Sequence, residues 1–491
     1  MVLVDSRVED LSGNTESRRG ALLICLVIGF MTLLDVSIVN VALPSMQVGL
    51  DMSPTEMSWA VAGYALTFGL TLVPAGRLGD EYGRKKLIFI GLALFGITAL
   101  ICGGAPNAIV LVIGRLSRGI AAGLLAPQVI GLMQEMFAGS RRGKAFGYYG
   151  ATVGLSTAIG PLIGGLILQA FGTAGGWRFV FYLSIPVVLV TLAFALKVLP
   201  GDEPRPVHHP LDLLGALLLG LGVLAFMLPL LQATGTHAQP QLWLFPVGAA
   251  WLVLFVIREH RLSSRDGHPL VNLKMLLIRS YSVGTMIAAA FYSGFTGIFL
   301  VITLFLQQGL KYSALEAALS TLIFTVASTG SAIISGRIVH RVGRLLVVLG
   351  SAVATIGLIA LAILTSNWTG PNTALVLAAP LLVAGCGCGL VISANQTLTL
   401  RSVTRDAGVA AGVYETGQRV GVTLGTALVS ALFFGELART GGNYYAAVGL
   451  GLTGPAVLVG VAFLISLVDL LRPAPGDAPV ELEAMSAVRR R

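Results

Sequence analysis

The chain has 491 residues, of which 55% are hydrophobic and only 11% are charged. Soluble domains carry about 25% charged residues, so this composition, with a mean hydropathy of +0.85, excludes an ordinary soluble protein and indicates many membrane-spanning segments. The formal net charge is +9, but the basic residues sit in short loops between apolar runs, where they report on topology rather than on nucleic-acid binding.

Fourteen apolar runs are long enough to cross a bilayer, which needs about 20 residues per helix. Helices are the expected form because lipid cannot hydrogen-bond exposed backbone groups. The sequence therefore predicts an all-α polytopic membrane protein. The predicted spans are 21–44, 57–76, 86–104, 108–134, 144–170, 176–199, 211–231, 243–259, 281–307, 314–336, 344–365, 374–397, 407–433 and 443–471.

Lysine and arginine predict the orientation of these spans. Alternate loops hold most of them, as in the clusters at 84–86, 141–144 and 337–344. The positive-inside rule places those loops, and both termini, in the cytoplasm. An even number of spans requires the same arrangement. The polar start of the chain and the length of the first run do not fit a cleavable signal peptide.

Asp35 interrupts the first apolar run. A carboxylate there costs roughly 2.5–3.5 kcal/mol, so we expect it to face a partner or a watery cavity. Arg115, in the fourth span, is the predicted partner, because the two residues lie roughly 13 and 10 Å below the same surface. A proton-coupling pair and a permanent structural ion pair both remain open, since a cation favours the ionised form and burial the neutral form.

An internal repeat divides the chain. GRLGDEYGR at 76–84 returns in register as GRIVHRVGR at 336–344, and each copy joins the second and third spans of a six-span set. This pattern predicts two related six-helix bundles. The predicted parts are a cytoplasmic tail at 1–20, an N-terminal bundle at 21–200, a linker with two additional transmembrane helices at 201–275, a C-terminal bundle at 276–471 and a cytoplasmic tail at 472–491.

Two features lie in the later spans of the bundles. GPLIGG at 160–165 contains Pro161, which removes a helix hydrogen bond. Its glycines, Gly160, Gly164 and Gly165, permit close helix contact. Glu415 lies in the thirteenth span, one turn before Arg419. An i,i+4 ion pair and a coupling or cation-binding role for Glu415 both remain open.

Several motifs together resemble the major facilitator superfamily, specifically its fourteen-span drug/proton antiporter branch. They are LDVSIVNVALP at 34–44, GRLGDEYGRKK at 76–86, Arg115 to Gly119, GPLIGG at 160–165 and DLLGALL at 212–218. Four features depart from the usual pattern: Ser37 stands where threonine is usual, Arg118 replaces a glutamine, Ser156 stands where a glycine is common, and Gln418-Arg419 reverses the usual order.

The resemblance implies a major facilitator fold and a secondary transporter rather than an enzyme. It implies a proton-coupled antiporter in a bacterial inner membrane, exporting hydrophobic or cationic small molecules such as drugs or antibiotics by alternating access. Asp35, Arg115 and Glu415 are the expected proton-coupling residues. The motif at 160–165 is expected to form a seal that limits leak, although an ordinary Gly/Pro-rich helix is the alternative.

The resemblance also implies a cytoplasmic gate and a substrate lining. Asp80 is expected either to pair with Arg118 or to cap a helix of the other bundle, and Arg84 to hold a carboxylate; simple loop solvation is the alternative. The expected gating residues are Gly76, Asp80, Gly83, Arg84 and Arg118. The candidate lining residues are Phe30, Trp59, Tyr64, Tyr292, Phe295 and Asn395, where aromatic faces would suit a cation.

The energy source is expected to be the proton gradient. GSRRGKA at 139–145 lacks the first Gly and the final Ser/Thr of a P-loop, and the four cysteines have no histidines beside them to make a metal site. No cofactor is expected, and the expected partners are a small-molecule substrate, protons and the bilayer, with a monomeric protein. A dedicated exporter of one metabolite, peptide or lipid, and a non-transporting receptor or scaffold, remain as alternatives.

Overall fold

The structure is a computed structural model that describes residues 15–172, 174–199, 201, 212–232, 241–264, 268–368, 373–403 and 406–472. Most of both predicted tails and the polar part of the predicted linker, 202–211, lie outside these residues.

Every predicted span corresponds to helix, with ends that differ by several residues because the helices extend beyond the apolar runs. The sixth predicted span is interrupted at Leu183 and forms two helices. The helices are α1 (Thr15–Leu50), α2 (Pro54–Tyr82), α3 (Arg84–Gly103), α4 (Ala108–Met136), α5 (Gly139–Phe171), α6 (Trp177–Tyr182), α7 (Ser184–Val198), α8 (Leu213–Gln232), α9 (Leu244–Ser264), α10 (Arg279–Leu304), α11 (Ala314–Val342), α12 (Leu345–Asn367), α13 (Thr373–Leu400), α14 (Ala407–Arg439) and α15 (Tyr444–Leu471).

The internal repeat extends to the helix caps. The second helix of each bundle starts with a capping box, formed by Ser53 and Glu56 in α2 and by Ser313 and Glu316 in α11. In each box the serine hydroxyl accepts the glutamate N–H and the glutamate carboxylate accepts the serine N–H. Two otherwise orphan backbone donors are thereby satisfied at each start.

Twelve helical segments of the described chain are long and apolar enough to cross a membrane. They make up the two predicted bundles, α1–α7 and α10–α15. The other two of the fourteen predicted spans, α8 and α9, are not among these twelve; the apolar stretch of α8, Leu213–Pro229, falls short of that length within the described residues. Helices α8 and α9 are the additional pair predicted between the bundles, and they pack against each other.

The two bundles meet along two seams. The first seam lies between α2 and α14, and the second between α5 and α11. The close backbone contacts of both seams lie near the loops that carry the arginine clusters. We call this end of the molecule the basic end. A Cβ added at Gly76 in the first seam would lie 2.3 Å from the carbonyl oxygen of Gly408, and one at Gly336 in the second seam would lie 2.3 Å from that of Gly143. Backbones this close show that the basic end is closed.

The additional helices cover the first seam. α8 contacts both α2 and α14, and its Val223 and Met227 pack against Leu66 of α2. Asp212 caps α8 by accepting the N–H of Gly215 at 2.9 Å, and it also binds Arg258 of α9 at 2.7 Å. Helices α8 and α9 therefore shield the first seam from the surroundings. The sequence motif at 212–218 does not reveal that these helices lie there.

Candidate functional site

A buried charge cluster lies inside the N-terminal bundle. Arg115 Nη1 lies 2.7 Å from Asp35 Oδ2, and Arg118 Nε lies 2.7 Å from Asp35 Oδ1. The relative exposures of Asp35, Arg115 and Arg118 are only 4%, 2% and 1%. The predicted contact between Asp35 and Arg115 is confirmed, but two guanidinium groups share one carboxylate, so the cluster carries an excess positive charge.

Neighbouring helices hold both guanidinium groups in place. Arg115 donates to the carbonyl of Ala60 in α2 at 2.8 Å and lies over the ring of Tyr64, 4.4 Å from its centroid. Arg118 donates to the carbonyl of Phe95 in α3 at 2.8 Å and to Ser184 Oγ in α7 at 2.9 Å. These bonds satisfy donors that burial would otherwise leave unpaired.

The predicted pairing of Asp80 with Arg118 is wrong, because Arg118 is fully engaged deep in the bundle. The alternative, in which Asp80 caps a helix of the other bundle, is confirmed. Its carboxylate accepts the N–H of Gly408 at 3.0 Å and the N–H of Val409 at 2.9 Å, at the N-terminus of α14. A carboxylate at a helix N-terminus binds orphan donors and complements the helix dipole, so Asp80 joins the two bundles directly.

A network of charges supports Asp80. Arg84 lies 2.6 Å from Asp80 and 2.9 Å from Glu135, so it holds a second carboxylate as predicted. Arg77 binds Glu81 at 3.0 Å and reaches Asp406, ahead of α14, at 3.5 Å. The first seam is therefore closed at the basic end by opposite charges from both bundles.

Two glycines of the same motif have steric roles. Gly76 allows the backbones of α2 and α14 to touch. Gly83 connects α2 to α3 with φ at 100°, a conformation that strains any residue with a side chain.

The second seam is closed by close packing at glycines and other small residues. Gly143 and Gly147 of α5 face Gly336 of α11, and the next turns bring Gly150 against Ala332 and Gly154 against Thr329. Small residues let the helix backbones approach closely. No charged latch crosses this seam among the described residues.

We expect Gly336→Val to prevent closure of the second seam. A Cβ there would lie 2.3 Å from the oxygen of Gly143 and 2.6 Å from Cα of Gly147, so the helices must separate to admit it. A cysteine introduced at Ala332, which is fully buried, reports this opening through faster maleimide labelling. Gly330→Val is the matched control, because a Cβ at Gly330 meets nothing within 4 Å. Equal labelling of the two variants would contradict the assignment.

The motif at 160–165 packs α5 against α1, and α5 continues through Pro161. A Cβ on Gly160 would lie 2.0 Å from Ser37 Oγ, and one on Gly164 would lie 3.1 Å from Ile38. The expected close contact at Gly165 is wrong, since a Cβ there meets nothing within 4 Å.

Glu415 does not form the i,i+4 ion pair considered for it. Glu415 is 7% exposed, and its Oε2 has no hydrogen-bond partner within the described parts of the chain. Arg419 instead lies over the ring of Phe68 in α2, 4.2 Å from its centroid. This contact crosses between the bundles, and the positive charge of Arg419 still acts on Glu415 although the two form no salt bridge.

Tyrosines of both bundles, Tyr149 in α5 and Tyr292 in α10, lie near enough to Glu415 to interact with its charge. A carboxylate with a free oxygen and several aromatic faces is the arrangement that recognises organic cations. Sequence reasoning missed Phe68 and Tyr149, and it considered Arg419 only as an ion-pair partner of Glu415. The only local signal was that Phe68 lies one turn after Tyr64, on the same face of α2.

The predicted lining residues fall into two groups. Tyr64 donates its hydroxyl to the carbonyl of Thr32 and stacks on Arg115, so it belongs to the Asp35 cluster. Asn395 is buried and donates to the carbonyl of Gly284 at 2.8 Å, and Phe295 is buried in an aromatic cluster. These three are held by packing rather than free to line a cavity. The others, Phe30, Trp59 and Tyr292, keep some exposed surface.

Comparison with known proteins defines the class. Residues 25–426 match the Major Facilitator Superfamily. The probable actinorhodin transporter of Streptomyces coelicolor is 34% identical over 427 residues, covering 86% of this chain and 73% of that protein. The puromycin resistance protein pur8 of Streptomyces alboniger is 32% identical over 435 residues, covering 87% of this chain and 84% of that protein.

The fold has counterparts among solved structures. The proton:xylose symporter XylE has a TM-score of 0.67 at 14% sequence identity, covering 93% of this chain and 96% of that one. The chain belongs to the Major Facilitator Superfamily. It is a multi-pass membrane transporter and not an enzyme, as the sequence motifs predict.

Proposed function

We propose that this transporter is a proton-coupled antiporter that exports hydrophobic or cationic small molecules by alternating access. The names of its relatives, which refer to actinorhodin transport and puromycin resistance, support export of such compounds. Under the positive-inside rule the basic end faces the cytoplasm of a bacterial inner membrane. The conformation described above is then the one closed to the cytoplasm.

The observation that carries the proposal is the free oxygen of Glu415. A buried carboxylate oxygen without a partner is costly, and the cost falls when a proton or a cationic group binds it. Tyr149 and Tyr292 lie near it on helices of different bundles, so a cation held between Glu415 and these rings would contact both halves of the molecule. Competition between a proton and a cationic substrate for one carboxylate is the simplest form of exchange.

Asp35 would contribute the conformational part of the coupling. Its negative charge is balanced here by Arg115 and Arg118, so proton uptake at Asp35 requires at least one guanidinium group to withdraw. Both arginines are anchored to neighbouring helices, and movement of those helices would break the anchors. One proton crossing 100 mV releases about 2.3 kcal/mol, which sustains roughly a fifty-fold substrate gradient.

Everted vesicles test the proposal with a panel of cationic, neutral and anionic compounds. We expect wild-type uptake into the vesicles to stop when an uncoupler collapses the proton gradient. Glu415→Gln is expected to reduce transport of cations about tenfold or more, since a hydrogen bond to a charged group contributes roughly 1.5–3 kcal/mol.

Glu436→Gln is the matched control, because Glu436 lies on the same helix and pairs with exposed Arg439 at the opposite end. It should transport as the wild type does. Transport that resists the uncoupler would contradict proton coupling. Movement of a single compound in the panel would instead support a dedicated exporter.

A further inference from the structure

Basic side chains from both bundles converge at the second seam. Arg141 and Lys144 lie on α5, and Arg337, His340 and Arg341 lie on α11, and all five are exposed. We call this group the seam patch. The backbones of Gly143 and Gly336 touch. Lys144 follows Gly143 in the sequence and Arg337 follows Gly336, so closure of the basic end brings these two charges together.

The seam patch lacks the carboxylates that balance the first seam. The segments 137–147, 333–345 and 396–403, which form the basic end of the second seam, contain no aspartate or glutamate. In the internal repeat, His340 stands at the position of Asp80. Arg401, after α13, adds a further like charge beside Arg142. Closing this seam therefore gathers positive charge without a counter-charge from these segments.

The seam patch lies at the end of two rows of exposed apolar side chains, one on α5 and one on α11. We call these rows the apolar stripes. On α5, Tyr148 and Leu155 lie on the same face as Lys144, and Leu155 is about three turns from it. Tyr148 is 38% exposed and Leu155 is 41% exposed. On α11, Arg337 shares a face with Val326 and Ile334, which are 64% and 55% exposed. Exposed apolar stripes on membrane helices contact lipid chains, so the seam patch lies at the level of the lipid headgroups. The first seam has no such access because α8 covers it.

We propose that the seam patch binds the phosphate of an anionic phospholipid whose acyl chains lie along the two apolar stripes. Basic pockets between helices on the cytoplasmic side are suited to such headgroups. The lipid contacts both bundles only when the seam is closed, so it stabilises the closed basic end through its differential affinity. This effect on conformation rests on the alternating access proposed above, whereas the binding itself does not.

The binding is tested with purified protein in vesicles of phosphatidylcholine and phosphatidylglycerol, followed by extraction and native mass spectrometry. The triple variant Lys144→Gln/Arg337→Gln/Arg341→Gln should bind phosphatidylglycerol about a hundredfold more weakly, since each basic residue near an anionic surface contributes about a fivefold gain in affinity. The matched control replaces three exposed basic residues outside the seam, Arg261, Lys274 and Arg472, by glutamine. Equal retention in the two triple variants would overturn the proposal.

Labelling of the cysteine at Ala332 tests the effect on closure and needs no transport measurement. Phosphatidylglycerol should slow labelling in otherwise wild-type protein and leave the seam-patch variant unchanged. Millimolar inorganic phosphate in phosphatidylcholine vesicles should have no effect. The same protection from inorganic phosphate would identify a soluble anion and overturn the lipid assignment. Retained lipid with unchanged labelling would overturn the effect on closure.

Discussion

Asp35→Asn is expected to abolish transport and to lower the thermal stability of the protein. The substitution leaves Arg115 and Arg118 buried with no counter-charge, and removing one partner of a buried ion pair costs about 3–5 kcal/mol. Both guanidinium groups remain anchored to backbone carbonyls of other helices, so they cannot reach water without disturbing the bundle. The melting temperature in detergent and uptake by everted vesicles measure the two effects separately.

A second substitution separates structural from functional roles. Asp35→Asn/Arg118→Gln restores the net charge of the cluster, because one negative and one positive charge are removed together. We expect this double variant to regain part of the lost stability, because only Arg115 is then left without a counter-charge, but no transport. Recovery of both would show that Asp35 is only a structural partner of the arginines. Full transport by Asp35→Asn alone would remove Asp35 from the mechanism.

The contact between Asp35 and Arg115 was predictable because helix geometry converts sequence position into depth. The same reasoning places Arg118 one turn beyond Arg115 on the same face of α4. The resemblance instead places Arg118 in the gate, as a possible partner of Asp80. Depth and helix face are local properties of the sequence, and they identify this cluster better than resemblance does.

The surroundings of Glu415 were less predictable because they depend on packing between bundles. The i,i+4 spacing permits an ion pair with Arg419, but the ring of Phe68 on α2 competes for the guanidinium group. Phe68 and Arg419 are far apart in sequence, and no local pattern links them. The same limit applies to Tyr64 and Phe295, whose rings were expected to face a cavity and are used in packing instead.

Asp80→Ala is expected to open the basic end and to reduce transport strongly. Asp80 accepts two backbone N–H groups from the other bundle, and a hydrogen bond to a charged group contributes roughly 1.5–3 kcal/mol. Loss of both removes roughly 3 kcal/mol or more from the closed state, which shifts the ratio of closed to open protein by about a hundredfold or more. A cysteine introduced at the fully buried Leu72, in the first seam, should then label faster.

Glu436→Ala is the control for Asp80→Ala, because it removes an exposed ion pair that contributes only about 0.2–1 kcal/mol. It should change neither labelling nor transport. Unchanged labelling in Asp80→Ala would show that the glycine contacts and the Arg77–Asp406 pair keep the basic end closed without Asp80. The comparison of the two seams matters here because different contacts close them. The second seam has His340 at the position of Asp80 and relies on backbone contact, so only the first seam should depend on a carboxylate.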